Sequence, residues 1–164
     1  MTLELFRIDD RLIHGQVVVG WGQPLGLKFI VLVDDAVAAS DWEQELYRMG
    51  VPPEMDVYFH DVGSAAARIP AYRTDPRAGL LLTGDIATMQ RLADSVVPSL
   101  NAVNVGGIHS KPGRVQRLRY VFLSPDEAAE LRSLAARGVK VTAQDLPGAR
   151  CVPLDDLLNG NDDL

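Results

Sequence analysis

The chain has 164 residues, 47% of them hydrophobic, 23% charged and 6% aromatic, which suits one domain-sized core and excludes whole-chain disorder. Against 22 Asp and Glu stand 16 Lys and Arg, so the formal net charge is −6, without the basic footprint of a nucleic-acid binder or the polybasic patch of a membrane-surface protein. The single Cys151 excludes an internal disulfide and a Cys-based zinc framework, and no run approaches the roughly 18 unbroken apolar residues of a membrane span.

Met1 opens no signal-peptide pattern, so the expectation is a reduced, cytoplasmic protein. In chain order, short β-branched and apolar runs predict strands at Leu3–Ile8, Phe29–Val33, Val57–Phe59, Gly79–Leu82, Ala102–Val105, Tyr120–Leu123 and Val139–Thr142. Several are apolar on both faces, as in strands buried within a parallel sheet. Between them, Asp41–Met49 places Trp42, Leu46 and Met49 at helical spacing. Asp85–Val96 does the same with Ile86, Met89, Leu92 and Val96, capped by Gly84 or Asp85.

The clearest helix start is Ser124-Pro125-Asp126-Glu127, with Ser124 as N-cap, Pro125 in the first turn and Glu127 closing a capping box. That helix runs through Leu131 and Leu134 to a left-handed stop at Gly138, with Arg132 and Arg137 suiting its dipole. Ala71–Ala78 and Gly106–Gly113 read as irregular, and Asn159–Leu164 as a polar, frayed tail after a single domain over residues 1–158. Trp21 and Trp42 are expected to be packing residues. The fold class is α/β, an open, mostly parallel twisted sheet of about seven strands with flanking helices.

Ligands of such sheets bind beyond the carboxyl ends of the strands, which directs attention to the residues that follow them. The densest group is Arg7-Ile8-Asp9-Asp10-Arg11-Leu12-Ile13-His14-Gly15-Gln16-Val17. A neutral imidazole such as that of His14 is a good nucleophile near neutral pH. Arg7 or Arg11 suits a phosphate clamp, and Asp9 or Asp10 a carboxylate that fixes the imidazole tautomer. Gly15 allows a sharp turn into a short helix with Val17–Val19 inward. Gly106-Gly107 reads as either a backbone anion nest or a plain turn. The bland alternative for the whole group is an ion-pair network around a structural histidine. His60 reads as structural or surface, and His109 as a solvated loop residue that can reach a phosphate or a partner.

The contiguous string Arg7–Val17, followed by Trp21, closely resembles the N-terminal signature of the IIB components of the mannose/fructose/sorbose branch of the bacterial phosphoenolpyruvate-dependent sugar phosphotransferase system. The resemblance continues through Ile30-Val31-Leu32-Val33-Asp34-Asp35, Pro52-Pro53 and Asn104-Val105-Gly106-Gly107, and it covers essentially the whole chain. Gly22-Gln23-Pro24-Leu25-Gly26 is richer in Gly and Pro than that pattern.

The resemblance implies a phosphoryl relay. A IIA phosphohistidine would donate to His14, which would pass the group to a sugar entering through the membrane IIC and IID components. It implies no metal or cofactor, a protein peripheral to the membrane complex, and a monomer or homodimer. Two other readings are weighed against it. A regulatory phosphoacceptor of the same fold would keep His14 without serving a transported sugar. A magnesium-binding receiver domain would use Asp34 and Asp35, but that pair follows the second strand and lacks a later strand-end aspartate; capping explains it more simply.

Overall fold

The computed structural model describes residues 3–96, 98 and 100–159. Among the described residues, nine strands and seven α-helices follow one another in near alternation. The strands are β1 (Leu3–Ile8), β2 (Phe29–Val33), β3 (Asp56–His60), β4 (Gly79–Thr83), β5 (Ala102–Val105), β6 (Val115–Leu118), β7 (Val121–Leu123), β8 (Lys140–Ala143) and β9 (Val152–Pro153). The helices are α1 (Gly22–Leu25), α2 (Asp35–Ala38), α3 (Asp41–Met49), α4 (Val62–Thr74), α5 (Ile86–Ser95), α6 (Pro125–Ala136) and α7 (Leu154–Asn159), with a π-helical turn over Gln16–Trp21 leading into α1.

The main sheet has seven strands in the order β3-β2-β4-β1-β5-β8-β9, parallel throughout except for β9. The central strands are apolar on both sides because both sides are covered. Phe29, Val31, Val33 and Leu81 join a core with α4, α5, α6 and α7. Ile30, Leu32, Leu80 and Leu82 join a second core with Val17, Val18, Trp21 and Val37. The connection leaving β1 covers the second face, whereas α6, reached from β5 through the β6–β7 hairpin, covers the first. Adjacent strands whose connections part to opposite faces open a crevice at their carboxyl ends. Arg7 and Ile8 of β1 lie beside Asn104 and Val105 of β5, so the Asp9–His14 loop and the Gly106–His109 segment meet at that crevice.

The helix ends follow their sequence signals. Ser124 and Glu127 form the expected capping box, and Gly138, one residue past the Arg137 C-cap, takes φ 92°. Asp85 caps α5, and Asp34 caps α2 through the Val37 amide. Gly26 ends α1 at φ 61°, so the Gly/Pro-rich stretch ends a short helix rather than preventing one.

Several expectations are corrected. Tyr120–Leu123 does not enter the main sheet: β7 pairs antiparallel with β6, a local closure across two residues. The seventh place belongs to β9, a two-residue edge strand where Pro153 is tolerated. Ala71–Thr74 is helical, because α4 runs through Pro70 to Thr74. Its alanine-rich run lacks the apolar contrast that makes α5 legible. Asn159 closes α7 rather than opening a tail, and residues 160–164 lie outside the described residues. Val19 faces outward at 51% exposure while Val17, Val18 and Trp21 turn inward. Trp42, Leu46 and Met49 form the outer face of α3, which has no buried residue and is held through Gln44 and half-buried Tyr47.

Candidate functional site

The loop after β1 is folded by its own residues. Asp9 continues the strand by donating its amide to the Thr83 carbonyl at 2.9 Å, and its own carbonyl accepts the Leu12 N–H at 3.0 Å. Leu12 takes φ 60°, a left-handed conformation that costs an L residue about 1–2 kcal/mol. That turn brings the chain back so that His14 stands over Asp9. The sharp turn is therefore at Leu12, and Gly15 has ordinary helical dihedrals with open space around the position of a Cβ.

Asp9 is the centre of the cluster and is fully buried. Its Oδ1 accepts the Arg11 amide at 3.1 Å and Arg11 Nε at 3.2 Å, while Oδ2 accepts Arg11 Nη2 at 3.1 Å and the Gly107 amide at 3.3 Å. Arg7 Nη2 reaches the same oxygen at 3.4 Å. Burial alone would raise the Asp9 pKa; the close approach of the His14 ring, the Arg11 hydrogen bonds and the Arg7 charge outweigh it and hold the carboxyl well below the usual carboxylate range.

The His14 ring is oriented from both ends. The Gln16 amide donates to Nδ1 at 3.2 Å, which requires the lone pair there and places the proton on Nε2. Nε2 is buried and lies 3.4 Å from Asp9 Oδ1, an ion-pair distance off the line of a formed hydrogen bond. Asp10 does not face His14. Its carboxylate turns to His109, accepting the backbone N–H at 2.7 Å and pairing with ring Nδ1 at 2.5 Å.

The two arginines divide. Arg7 is wholly buried, bonded to Asn104 Oδ1, the Gln144 carbonyl (2.9 Å) and the Asp145 carbonyl (3.2 Å), with its guanidinium 4.7 Å from the Trp21 ring centre. Burial lowers its pKa and the Asp9 and Asp145 charges oppose that. It is a brace for Asp9 and cannot reach a ligand. Arg11 has a side chain 36% exposed, and its Nη2 also donates to Gln16 Oε1 at 2.6 Å.

The glycine pair is not an anion nest. The Gly106 amide is taken by the Ile8 carbonyl at 2.7 Å and the Gly107 amide by Asp9. A Cβ on Gly106 would lie 2.3 Å from Arg7 Nη2, so this position makes room for the brace.

Sequence reasoning missed Gln16, Asn104, Gln144 and Asp145 as members of the site. Asp145 ties it together: Oδ1 accepts Gln16 Nε2 at 2.7 Å, Oδ2 accepts Arg119 Nη2 at 3.0 Å, and its carbonyl accepts Trp21 Nε1 at 3.0 Å. The available signal was a polar residue at the end of an apolar strand, as at Asn104 in β5 and after β8. A cleft of about 290 Å³ opens beside this network, lined by Arg11, Gln16, His109, Arg119, Tyr120 and Asp145 among others. His60 is spent in structure, with Ser64 Oγ on Nδ1 at 2.6 Å and the Tyr72 hydroxyl on Nε2 at 2.7 Å. Among the described residues no group of three or more His, Cys, Asp or Glu could hold a metal ion.

A family model described as the sorbose-subfamily IIB component of the phosphotransferase system (PTS) matches residues 3–163. The chain belongs to that family. A sorbose-specific EIIB component of Lacticaseibacillus casei is 33% identical over 160 residues, covering 96% of this chain and 94% of the relative. N-acetylgalactosamine-specific IIB component 1 of Escherichia coli is 32% identical over 154 residues, covering 88% of this chain and 90% of the relative. The crystal structure of the IIB domain of the Klebsiella pneumoniae sorbose permease superposes with a TM-score of 0.86 at 27% identity, covering 99% of each chain. This is a PTS IIB component with the family's α/β fold. No helix among its described residues is long and apolar enough to cross a membrane.

Proposed function

We propose that this IIB component is a cytoplasmic phosphocarrier that accepts a phosphoryl group on His14 Nδ1 from a IIA phosphohistidine and delivers it to a sugar held by membrane IIC and IID partners. The observation that carries this reading is the His14 ring itself: its lone pair is fixed on Nδ1 by the Gln16 amide while the buried Nε2 faces Asp9.

Attack by Nδ1 on the incoming phosphorus leaves positive charge on the ring, and the Asp9 carboxylate beside Nε2 stabilises it. Arg7 and Arg11 keep Asp9 ionised and fixed, so its charge is in place before the reaction begins. The partly exposed Arg11 fork supplies donors for the equatorial oxygens, and the Gln16 N–H, released from the lone pair on phosphorylation, turns to the same group. Of the residues proposed for the site, His14 carries the phosphate, Arg11 binds it, Asp9 orients the ring, and Arg7, Gly106 and Gly107 hold Asp9. Asp10 belongs to His109.

The test is incubation with phosphoenolpyruvate, the general phosphotransferase proteins and a IIA protein. An acid-labile phosphate should appear and be absent from His14→Ala, and phosphorus NMR should place it on Nδ1. Label persisting in His14→Ala, or resonating as an Nε2 phosphate, overturns the assignment. Loss of sugar uptake in a His14→Ala strain distinguishes the carrier from a regulatory module.

A further inference from the structure

We propose that Asp10 and His109 form a second carboxylate–imidazole pair, which takes the proton from the acceptor hydroxyl as His14 gives up its phosphoryl group. This rests on the phosphocarrier reading of His14 and names a residue for the second half of the relay.

Two adjacent aspartates turn opposite ways, and each meets one histidine. Asp9 holds His14; Asp10 holds His109 by both its amide and its ring. The His109 side chain is 64% exposed, yet its ring is paired with Asp10 and its backbone is held at both the amide and the carbonyl. Arg114 Nη1 donates to the His109 carbonyl at 2.8 Å, and Arg114 is itself forked onto Glu127 at 2.9 and 2.8 Å. Glu127 closes the capping box of α6, so the brace runs from a helix end to the His109 backbone. An isolated surface ion pair does little to order a side chain, whereas here the ring–carboxylate contact is backed by a backbone held on both sides.

With Asp10 Oδ1 on Nδ1, the proton sits on Nδ1 and the lone pair is left on Nε2. That atom has no hydrogen-bond partner among the described residues, in contrast to His60, whose two ring nitrogens are both taken. His109 lines the same cleft as Arg11 and Gln16, which touch Asp9 and His14. A hydroxyl entering that cleft meets His109 on a wall it shares with Arg11 and Gln16, the residues that hold the Asp9–His14 pair. In the step, the sugar O–H bond breaks and its proton passes to His109 Nε2. The sugar oxygen bonds to phosphorus, and the P–Nδ1 bond of His14 breaks with its electron pair returning to the ring.

The test charges wild-type protein, His109→Gly and Asp10→Asn with phosphoenolpyruvate, the general phosphotransferase proteins and a IIA protein. Each is then mixed with membranes carrying IIC and IID proteins and with L-sorbose, N-acetyl-D-galactosamine or D-mannose. His109→Gly is expected to charge like wild type and discharge about 100-fold more slowly, and added imidazole should restore discharge, which a loop-tethering role would not allow. Asp10→Asn is expected to slow discharge about tenfold, the loss of the ring's orienter being the smaller defect. Wild-type discharge in His109→Gly, slow discharge that imidazole does not restore, or slow charging overturns the proposal. A charged wild-type protein that passes its phosphoryl group to none of the three sugars overturns it too. Failure of wild type to label on His14 before any sugar is added refutes the carrier reading itself.

Discussion

The Arg7 guanidinium occupies the space that a side chain on Gly106 would need: a Cβ there would lie 2.3 Å from Nη2 and 2.5 Å from Cζ. Two strands thus meet through a missing side chain on β5's exit and a buried charge on β1. Gly106→Ala is therefore expected to push Arg7 off Asn104 and Asp9 and to cost about 1–3 kcal/mol by overpacking. Gly15→Ala, in helical backbone with nothing within 4 Å, is expected to be neutral or to stabilise by about 0.5–1 kcal/mol. Urea unfolding of the two variants checks this, and equal stability would show that Arg7 moves aside freely.

Arg7 and Arg11 are expected to fail differently. Arg7→Lys keeps a charge but cannot reach Asn104, Gln144, Asp9 and Asp145 together, leaving buried partners unpaired at about 3–5 kcal/mol. Arg11→Lys, one-third exposed, is expected to cost under about 1 kcal/mol, and phosphoryl transfer to His14 should slow about tenfold or more as the fork is lost. Thermal melts paired with transfer rates separate the two. A transfer defect in Arg11→Lys that merely follows lost stability would make Arg11 another brace.

Much of this was legible before the structure. The β2 and β4 strands were readable because parallel strands covered on both faces lack polar alternation, and Ser124–Glu127 because a capping box is local chemistry. The Arg7–Val17 string announced a site at the end of β1. The partition of its charges was not legible, since Arg7 is buried by Asn104, Gln144 and Asp145, about 97 to 138 residues away along the chain. The same holds for Asp10, whose partner His109 is 99 residues on. Gly106-Gly107 stayed open between an anion nest and a plain turn because a glycine pair in sequence does not show what fills the space beside it.

Asp9 gives the site a pH signature. Its carboxyl is held well below the ordinary value of about 3.9, so the folded state binds that proton less readily than the unfolded chain. The stabilisation is complete above about pH 5 and declines as pH falls through 4 and below. Asp9→Asn, which leaves Arg7 without its counter-charge, is expected to lose about 3–5 kcal/mol at neutral pH. The stability gap between wild type and variant should stay level from pH 8 to pH 5 and narrow only below about pH 4. A gap that already narrows between pH 7 and pH 5 would assign the effect to a histidine.

The two tryptophans supply the sharpest contrast between pattern and placement. Trp42, Leu46 and Met49 recur at helical spacing, and that period marks one face of α3 without saying which way the face points. It points outward: Trp42 is 68% exposed and Met49 75%, while Trp21 is 3% exposed, with its indole N–H on the Asp145 carbonyl and its ring under Arg7. Trp42→Ala is expected to change stability by less than about 0.5 kcal/mol. Trp21→Ala removes a packed ring, its hydrogen bond to the Asp145 carbonyl and its face against Arg7, at about 3–5 kcal/mol. Acrylamide quenching of the single-tryptophan variants checks the placement directly. The emission left in Trp21→Phe, which comes from Trp42, should be quenched several-fold more readily than that left in Trp42→Phe. Equal quenching would mean that the outer face of α3 is covered in solution.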